Sequence, residues 1–290
     1  VIQLLLLIFS IKIISQEPST LKLFIILSWF PIFTTFSYGQ NSIFFLFILA
    51  SAIKCLRQGY LFQSGLLTGV LALKPQLLPA FLIAWACAGK KGITGILGII
   101  ISISSLVLVS YLFMPESSQA YLSIVKSELF QIEKVSGFSY AKQHTLMSFF
   151  HLLFGDLVAA KIFCFVLMLF AIYFTRSIFI KYKNNEHLIF SFGALLLPCV
   201  SPYLMIYDLC LLIIPALVIW DEFKFSKIFS KKIYSFIWIV IPLNVTLLIP
   251  LQSRFLPWSI HFAELGLLVT FALIVNKMLT EDCLSIQSKT

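Results

Sequence analysis

The stretch of sequence that decides the fold is residues 61–88, LFQSGLLTGVLALKPQLLPAFLIAWACA. Two continuous apolar runs lie on either side of Leu-Lys-Pro-Gln at 73–76. Neither run alternates between apolar and polar residues, so both predict helices and neither predicts a strand of a membrane barrel. Each run is shorter than the roughly 20 residues that a helix needs to cross a bilayer. The pair therefore predicts a short helical hairpin with its apex at the Lys-Pro step.

Basic residues flank this hairpin on both sides. Lys54 and Arg57 precede it, and Lys90 and Lys91 follow it. Because lysine and arginine accumulate in cytoplasmic loops of membrane proteins, both flanks are predicted to be cytoplasmic. The apex then points outward or ends within the membrane.

A second pair of short apolar runs, 188–200 and 206–220, repeats this arrangement around Ser-Pro-Tyr at 201–203. Lysines also lie on both of its flanks: Lys181 and Lys183 before it, and Lys224, Lys227, Lys231 and Lys232 after it. The sequence thus predicts two hairpins with their apices at the same, outer side.

The composition of the whole chain agrees with a membrane location. Of the 290 residues, 60% are hydrophobic and only 11% are charged, and the mean hydropathy is +1.01. Soluble domains carry about 25% charged residues, so a soluble fold is excluded. In lipid the backbone must satisfy its own hydrogen bonds, which leaves a helical bundle. The net charge of +9 fits basic cytoplasmic loops and does not indicate nucleic acid as a partner.

The predicted fold is therefore an all-α, polytopic bundle that forms a single transmembrane domain over 1–290. About eleven membrane segments are expected: 1–15, 22–36, 42–56, 61–73, 76–88, 92–113, 157–180, 188–200, 206–220, 233–250 and 259–279. Residues 114–144 are predicted to form an external loop with an interfacial helix, and 280–290 a cytoplasmic tail. Alternation of the crossings places Val1 outside and the C-terminus in the cytoplasm. The expected location is the bacterial plasma membrane, with membrane lipids as neighbours.

Polar residues at membrane depth are costly, so they usually face an interior cavity or a partner. They concentrate on the predicted outer side, and we take ten of them as candidate substrate-binding residues: Gln40, Asn41, Lys74, Gln76, Gln143, His144, Tyr203, Tyr207, Asp208 and Arg254. Amide side chains suit hydroxyl-rich ligands, and lysine or arginine suits phosphate. Bland alternatives stay open: Gly-Gln-Asn as an ordinary turn, Lys74 as an interfacial lysine, and His144 as a structural histidine.

The order of these elements resembles glycosyltransferase family 87, the polyprenyl-phosphate-mannose-dependent group with the GT-C fold. The resemblance rests on Gly39-Gln40-Asn41 followed by residues 65–76, GLLTGVLALKPQ. Gln143-His144-Thr145-Leu146 is similar to the family's Asn-Gln-Ser-Leu element. Ser201-Pro202-Tyr203 with Tyr207-Asp208-Leu209 looks like its Ser-Pro-His…Tyr-Asp element. The resemblance covers about residues 1–220.

The resemblance implies a membrane glycosyltransferase that moves a hexose, usually mannose, from a polyprenyl phosphate to a lipid or glycan acceptor on the outer face. It also implies an acidic base in the first external loop, which is expected upstream of Val1, so no catalytic residue is assigned. Lys74 and Arg254 would then face the phosphate. Gln40, Asn41, Gln143 and Asp208 would hold sugar hydroxyls, and Tyr203 or Tyr207 would stack on the sugar.

The sequence leaves two other functions open. A transporter or flippase of lipid-linked sugars also uses short, proline-interrupted hairpins at its substrate site. A structural subunit without chemistry is the third possibility. Walker, HExxH, CxxC and GxSxG patterns are absent from the sequence, so no cofactor and no metal are expected.

Overall fold

The computed structural model describes residues 1–15, 18, 20–128, 140, 143–155, 157–182, 185, 188–223, 269, 271–276 and 278. Within these ranges the chain is helical and forms no strand, which confirms the all-α prediction. Arg254, the tail 280–290 and the apolar run 233–250 lie outside the described residues. So do residues 129–139 of the predicted external loop.

The helices follow one another closely along the chain. They are α1 (Ile2–Ile14), α2 (Thr20–Leu27), α3 (Phe30–Ser37), α4 (Ser42–Arg57), α5 (Leu61–Gly69), α6 (Leu78–Cys87), α7 (Lys90–Phe113), α8 (Pro115–Glu128), α9 (Leu146–Phe154), α10 (Leu157–Lys181), α11 (Leu188–Val200) and α12 (Ile213–Phe223). Short 3-10 turns form at Val70–Leu73, Pro75–Leu77 and Ile206–Leu212, and residues 271–276 are also helical.

The apolar run 22–36 is two helices, α2 and α3, where the sequence indicated one segment. Trp29 adopts an extended backbone between them, and Pro31 lies in the first turn of α3. Because a proline fits the first turn of a helix but interrupts a helix interior, Pro31 favours a new helix over a continuation of α2.

Among the described helices, two, α7 and α10, are long and apolar enough to cross a membrane. Each has about 24 such residues, which span roughly 36 Å at 1.5 Å per residue. Both expose rows of large apolar side chains, including Val107, Leu112, Phe163 and Tyr173. An apolar surface of this kind suits lipid as the neighbouring phase.

Side-chain hydrogen bonds join helices α1 and α4 at both ends. At one end Gln3 Nε2 donates to the carbonyl of Gln40 at 2.8 Å. At the other end the Arg57 guanidinium donates to the carbonyls of Ile13 and Ile14, both at 2.8 Å. Helices α1 and α4 therefore run parallel, and Arg57 satisfies free carbonyls at the end of α1.

Glycines set the contact between α5 and α7. A Cβ atom on Gly65 would lie 2.0 Å from the carbonyl oxygen of Gly95, and one on Gly98 would lie 2.3 Å from the carbonyl of Phe62. Small residues of this kind allow two helix backbones to approach closely within a membrane. The contact holds α5 in place, and the 3-10 turn Val70–Leu73 then leads from its end to Lys74.

The two predicted hairpins are present as α5 with α6 and as α11 with α12. Helix α11 packs against α6, with Gly193 against the Phe81 ring and Phe190 6.0 Å from Trp85 between ring centroids. The two apices therefore lie side by side. Ser201 Oγ donates to the carbonyl of Gln76 at 2.8 Å, which ties the second apex to the first.

Candidate active site

An ion pair lies where the two hairpin apices meet the start of α4. Lys74 Nζ contacts Asp208 Oδ1 and donates to Ser42 Oγ at 3.0 Å. The Ser42 hydroxyl donates to the same Asp208 oxygen at 2.8 Å. Three side chains from distant parts of the sequence thus form one hydrogen-bonded triangle.

Local backbone structure explains how Lys74 and Asp208 reach this point. The 3-10 turn Val70–Leu73 ends at Lys74, because Pro75 cannot continue the hydrogen-bonding ladder and begins a new turn. On the other apex, Met205 is extended and precedes the 3-10 turn Ile206–Leu212, and the Asp208 amide donates to the Met205 carbonyl at 2.9 Å. Lys74 therefore lies on irregular backbone between two 3-10 turns, whereas Asp208 lies within a 3-10 turn.

The pair has an apolar and aromatic surrounding. Asp208 is fully buried, and the Lys74 side chain is 12% exposed. The Lys74 ammonium lies 4.8 Å from the centre of the Tyr207 ring and 5.9 Å from that of Phe45, which are cation–π distances. Asp208 Oδ2 is buried and has no hydrogen-bond partner among the described residues. The site therefore holds one unsatisfied acceptor next to a cation.

Gln76 and Tyr203 connect the two apices next to this pair. The Tyr203 hydroxyl donates to Gln76 Oε1 at 3.2 Å, and Gln76 itself is buried. Tyr203 lies in the loop between helices, where burial raises the pKa of its phenol and nearby Tyr121 and Asp208 raise it further. The phenol therefore stays protonated and keeps its role as a donor to Gln76.

Gln143 and His144 are buried against the second apex. Gln143 Oε1 accepts a hydrogen bond from the Leu204 amide at 3.0 Å, and its Nε2 donates to Met205 Sδ at 3.7 Å. The His144 amide donates to the Leu204 carbonyl at 2.7 Å. The end of the predicted external loop is therefore joined to the segment that carries Tyr207 and Asp208.

The structure brings most of the candidate residues into one region but does not join all of them by contacts. Gln76, Gln143, Tyr203, Tyr207, Asp208 and Lys74 are joined by the contacts above. Asn41 is exposed and immediately precedes Ser42, whereas the carbonyl of Gln40 is held by Gln3. Arg254 is outside the described residues.

The sequence reasoning missed Ser42 and Gln3. Ser42 directly follows Gly39-Gln40-Asn41, so its position next to a polar motif was the available signal. Gln3 places an amide in the otherwise apolar first turn of α1, and such a side chain in a membrane helix commonly forms a hydrogen bond to a neighbouring segment. Ser201 also bonds across the apices, and it lies inside a motif that the sequence singled out.

Among the residues that the structure describes, no group of three or more His, Cys, Asp or Glu side chains is arranged to hold a metal ion. The charges available to a ligand at the described site are those of Lys74 and Asp208.

The fold and the site define an all-α membrane protein with a charged pair at the meeting point of two short hairpins. The chain belongs to glycosyltransferase family 87, whose family model matches residues 1–202. It is therefore a membrane glycosyltransferase, which takes a sugar from a donor and gives it to an acceptor. The match includes Ser42, Lys74 and Gln143, while Asp208 lies beyond its last residue. Neither a curated protein nor a solved structure matches the chain.

Proposed function

We propose that the chain transfers a hexose, mannose, from a polyprenyl-phosphate donor to a lipid or glycan acceptor on the outer face of the plasma membrane. The observation that carries this proposal is Lys74, a cation held at a hairpin apex next to an unsatisfied carboxylate oxygen of Asp208. Family membership supplies the reaction class, and the chemistry of the apex supports the donor.

A lipid-linked sugar phosphate matches the charge at the site. The leaving group of such a donor is a phosphate, on which negative charge develops as the bond from the anomeric carbon to oxygen breaks. Lys74 presents a compact cation to that oxygen, and a fixed cation in a water-poor site stabilises developing charge strongly. With Asp208 beside it, the site carries little net positive charge, which suits a phosphodiester with one charge better than a diphosphate.

The remaining polar groups suit the sugar. Asp208 Oδ2 is a buried acceptor that a sugar hydroxyl would satisfy. The Tyr207 ring lies against Lys74 and offers an apolar face for the sugar ring. Gln40 and Asn41 lie on the turn before Ser42, where their amides would bind further hydroxyls.

The distribution of charge supports an outer-face site. Helix α4 starts at Ser42 in the site and ends at Arg57, and Arg176 donates to the carbonyl of Cys87 at the far end of α6. Of the eleven lysines and arginines among the described residues, six lie at the end opposite the site: Lys54, Arg57, Lys90, Lys91, Arg176 and Lys181. By the positive-inside rule this distribution supports a cytoplasmic position for that end, which would put Lys74 at the outer face.

The test is transfer of label from polyprenyl-phosphate [¹⁴C]mannose in membranes that contain the full chain or its Lys74→Gln variant. We expect label to enter a lipid or glycan product with the unchanged chain, and at least about a hundredfold less with the variant. Lys54→Gln, the same change on an exposed lysine at the opposite end, is the matched control. Transfer that persists in Lys74→Gln would contradict the proposed donor site.

The same membranes separate the enzyme from a transporter of lipid-linked sugars. A transporter would move labelled donor across sealed vesicles without any change in the chemical form of the label. An enzyme changes the chemical form of the label whether or not the vesicles are sealed. Donor movement without product formation would overturn the proposed reaction.

A further inference from the structure

Three segments outside the α-helices meet at the candidate site. The first is 74–76, the second is 201–205 and the third is 143–145. Hydrogen bonds join 201–205 to both of the others. Segment 201–205 leads directly into the turn with Asp208, so whatever fixes this segment also fixes the carboxylate.

Gln143 is held firmly on its own side of the contact. Its carbonyl accepts a hydrogen bond from Ser148 Oγ at 3.0 Å, and Ser148 forms a capping box with Thr145 at the start of α9. A capping box of this kind satisfies two free amides and fixes the first turn of a helix. The main chain of Gln143 is therefore anchored before its side chain reaches the second apex.

The Gln143 side chain forms a hydrogen bond with the backbone of the second apex. Its Oε1 accepts from the Leu204 amide, its Nε2 faces Met205 Sδ, and the residue is only 3% exposed. The Met205 carbonyl in turn accepts the Asp208 amide and opens the 3-10 turn. Two consecutive contacts thus link the Gln143 amide to the position of the Asp208 carboxylate.

We propose that Gln143 is a positioning residue that acts through Asp208, and that it does not contact the sugar. This rests on the proposed function only in taking Lys74 and Asp208 as the donor site. Gln143 fixes Leu204 and Met205, and these hold the turn that directs Asp208 towards Lys74 and Ser42. Gln76 supports the same segment from the other side through Ser201 and Tyr203.

The test is a double-mutant cycle on donor binding, with the purified full chain in lipid nanodiscs and polyprenyl-phosphate [¹⁴C]mannose as the probe. The variants are Gln143→Leu, Asp208→Asn and the two combined. We expect Gln143→Leu to weaken donor binding about fivefold to tenfold when Asp208 is present, and by less than about twofold in the Asp208→Asn background. Residues that act through one shared partner show such non-additivity, whereas independent contacts add.

Equal losses in the two backgrounds would overturn the proposal, because they would mean that Gln143 meets the donor directly. So would no loss in either. Gln58→Leu is the matched control, since Gln58 is exposed at the turn after α4. It is expected to bind the donor as the unchanged chain does.

Gln143→Asn provides a second route if Gln143→Leu does not fold. It keeps the amide but shortens the side chain by one methylene, which withdraws the amide from the Leu204 N–H and Met205 Sδ. We expect about a twofold to threefold loss of donor binding that disappears in the Asp208→Asn background, and a loss that adds would count against positioning. Lys74→Gln separates the two proposals: unchanged donor binding there refutes the donor site, whereas weakened binding with additive Gln143 effects refutes only the positioning role.

Discussion

The contact between α5 and α7 and the site at the hairpin apices are built in opposite ways. Between the helices, Gly65 and Gly95 bring two backbones so close that a single added Cβ atom would lie 2.0 Å from a carbonyl oxygen. At the apices, Lys74, Ser42 and Asp208 are held by side-chain hydrogen bonds, and one carboxylate oxygen has no partner among the described residues.

The difference separates what stabilises the molecule from what equips it for chemistry. Close packing of glycine against backbone gains dispersion energy and leaves no polar group in need of a partner. An unsatisfied buried acceptor costs about 1–3 kcal/mol, which the rest of the fold must offset. Such a cost is tolerated at functional sites, where a ligand supplies the missing bond.

The largest effect is expected from Gly65→Val. The added side chain would meet the backbone of Gly95, which cannot move away without separating α5 from α7. Overpacking typically costs about 1–3 kcal/mol and more when the neighbour is rigid, so we expect no correctly folded protein. Size-exclusion chromatography in detergent, with and without heating, would measure the folded fraction.

Gln63→Ala in the same helix is the control, because Gln63 is exposed. It is expected to fold as the unchanged chain does. If Gly65→Val were equally well folded, the closeness of α5 and α7 would be wrong, and so would the contrast between the two regions.

A smaller effect is expected from breaking the ion pair, and it tests the other region. Asp208→Leu leaves a Lys74 ammonium that is 12% exposed without its counter-ion, which we expect to lower the free energy of unfolding by about 3 kcal/mol. The double variant Lys74→Met with Asp208→Leu removes both charges, and its stability should return to within about 1 kcal/mol of the unchanged chain. Sugar transfer should nevertheless stay absent in the double variant.

Thermal unfolding in detergent and label transfer from the donor would be measured on the same preparations. Recovery of transfer in the double variant would show that the pair serves only the fold. Recovery of neither quantity would show that Lys74 and Asp208 contribute to packing in a way that apolar side chains of similar size do not reproduce.

The sequence was sufficient for the helical class, because long apolar runs without alternation leave few other structures in lipid. It also located both hairpin apices, since Pro75 and Pro202 each lie between two apolar runs that are too short to cross a bilayer. The break between α2 and α3 was missed, although Pro31 in the first turn of α3 was an available signal for a new helix.

The candidate site was predicted as a set of residues but not as an arrangement. The sequence indicated Lys74 and Asp208 separately, one for phosphate and one for sugar, whereas the structure joins them. A contact across 134 residues depends on how α6 and α11 pack, which local periodicity does not encode. The sequence assigned Gln143 to the sugar for the same reason, a prediction that stays untested, and the hydrogen bond to Leu204 supports the positioning role proposed above in its place.

The smallest effect is expected from Ser42→Ala. The hydroxyl bonds both Lys74 and Asp208, yet its loss leaves the ion pair intact. We expect a loss of about 1 kcal/mol in stability and less than a tenfold loss in transfer. Ser51→Ala is matched to it, since Ser51 lies in the same helix and donates to the Phe47 carbonyl at 2.9 Å, away from the site. If both variants lowered stability but neither changed transfer, Ser42 would act as any helix serine does. Reduced transfer in Ser42→Ala alone would mean that the hydroxyl supports ligand binding at the charged site. Its role would then differ from that of the glycines between α5 and α7, which stabilise the fold.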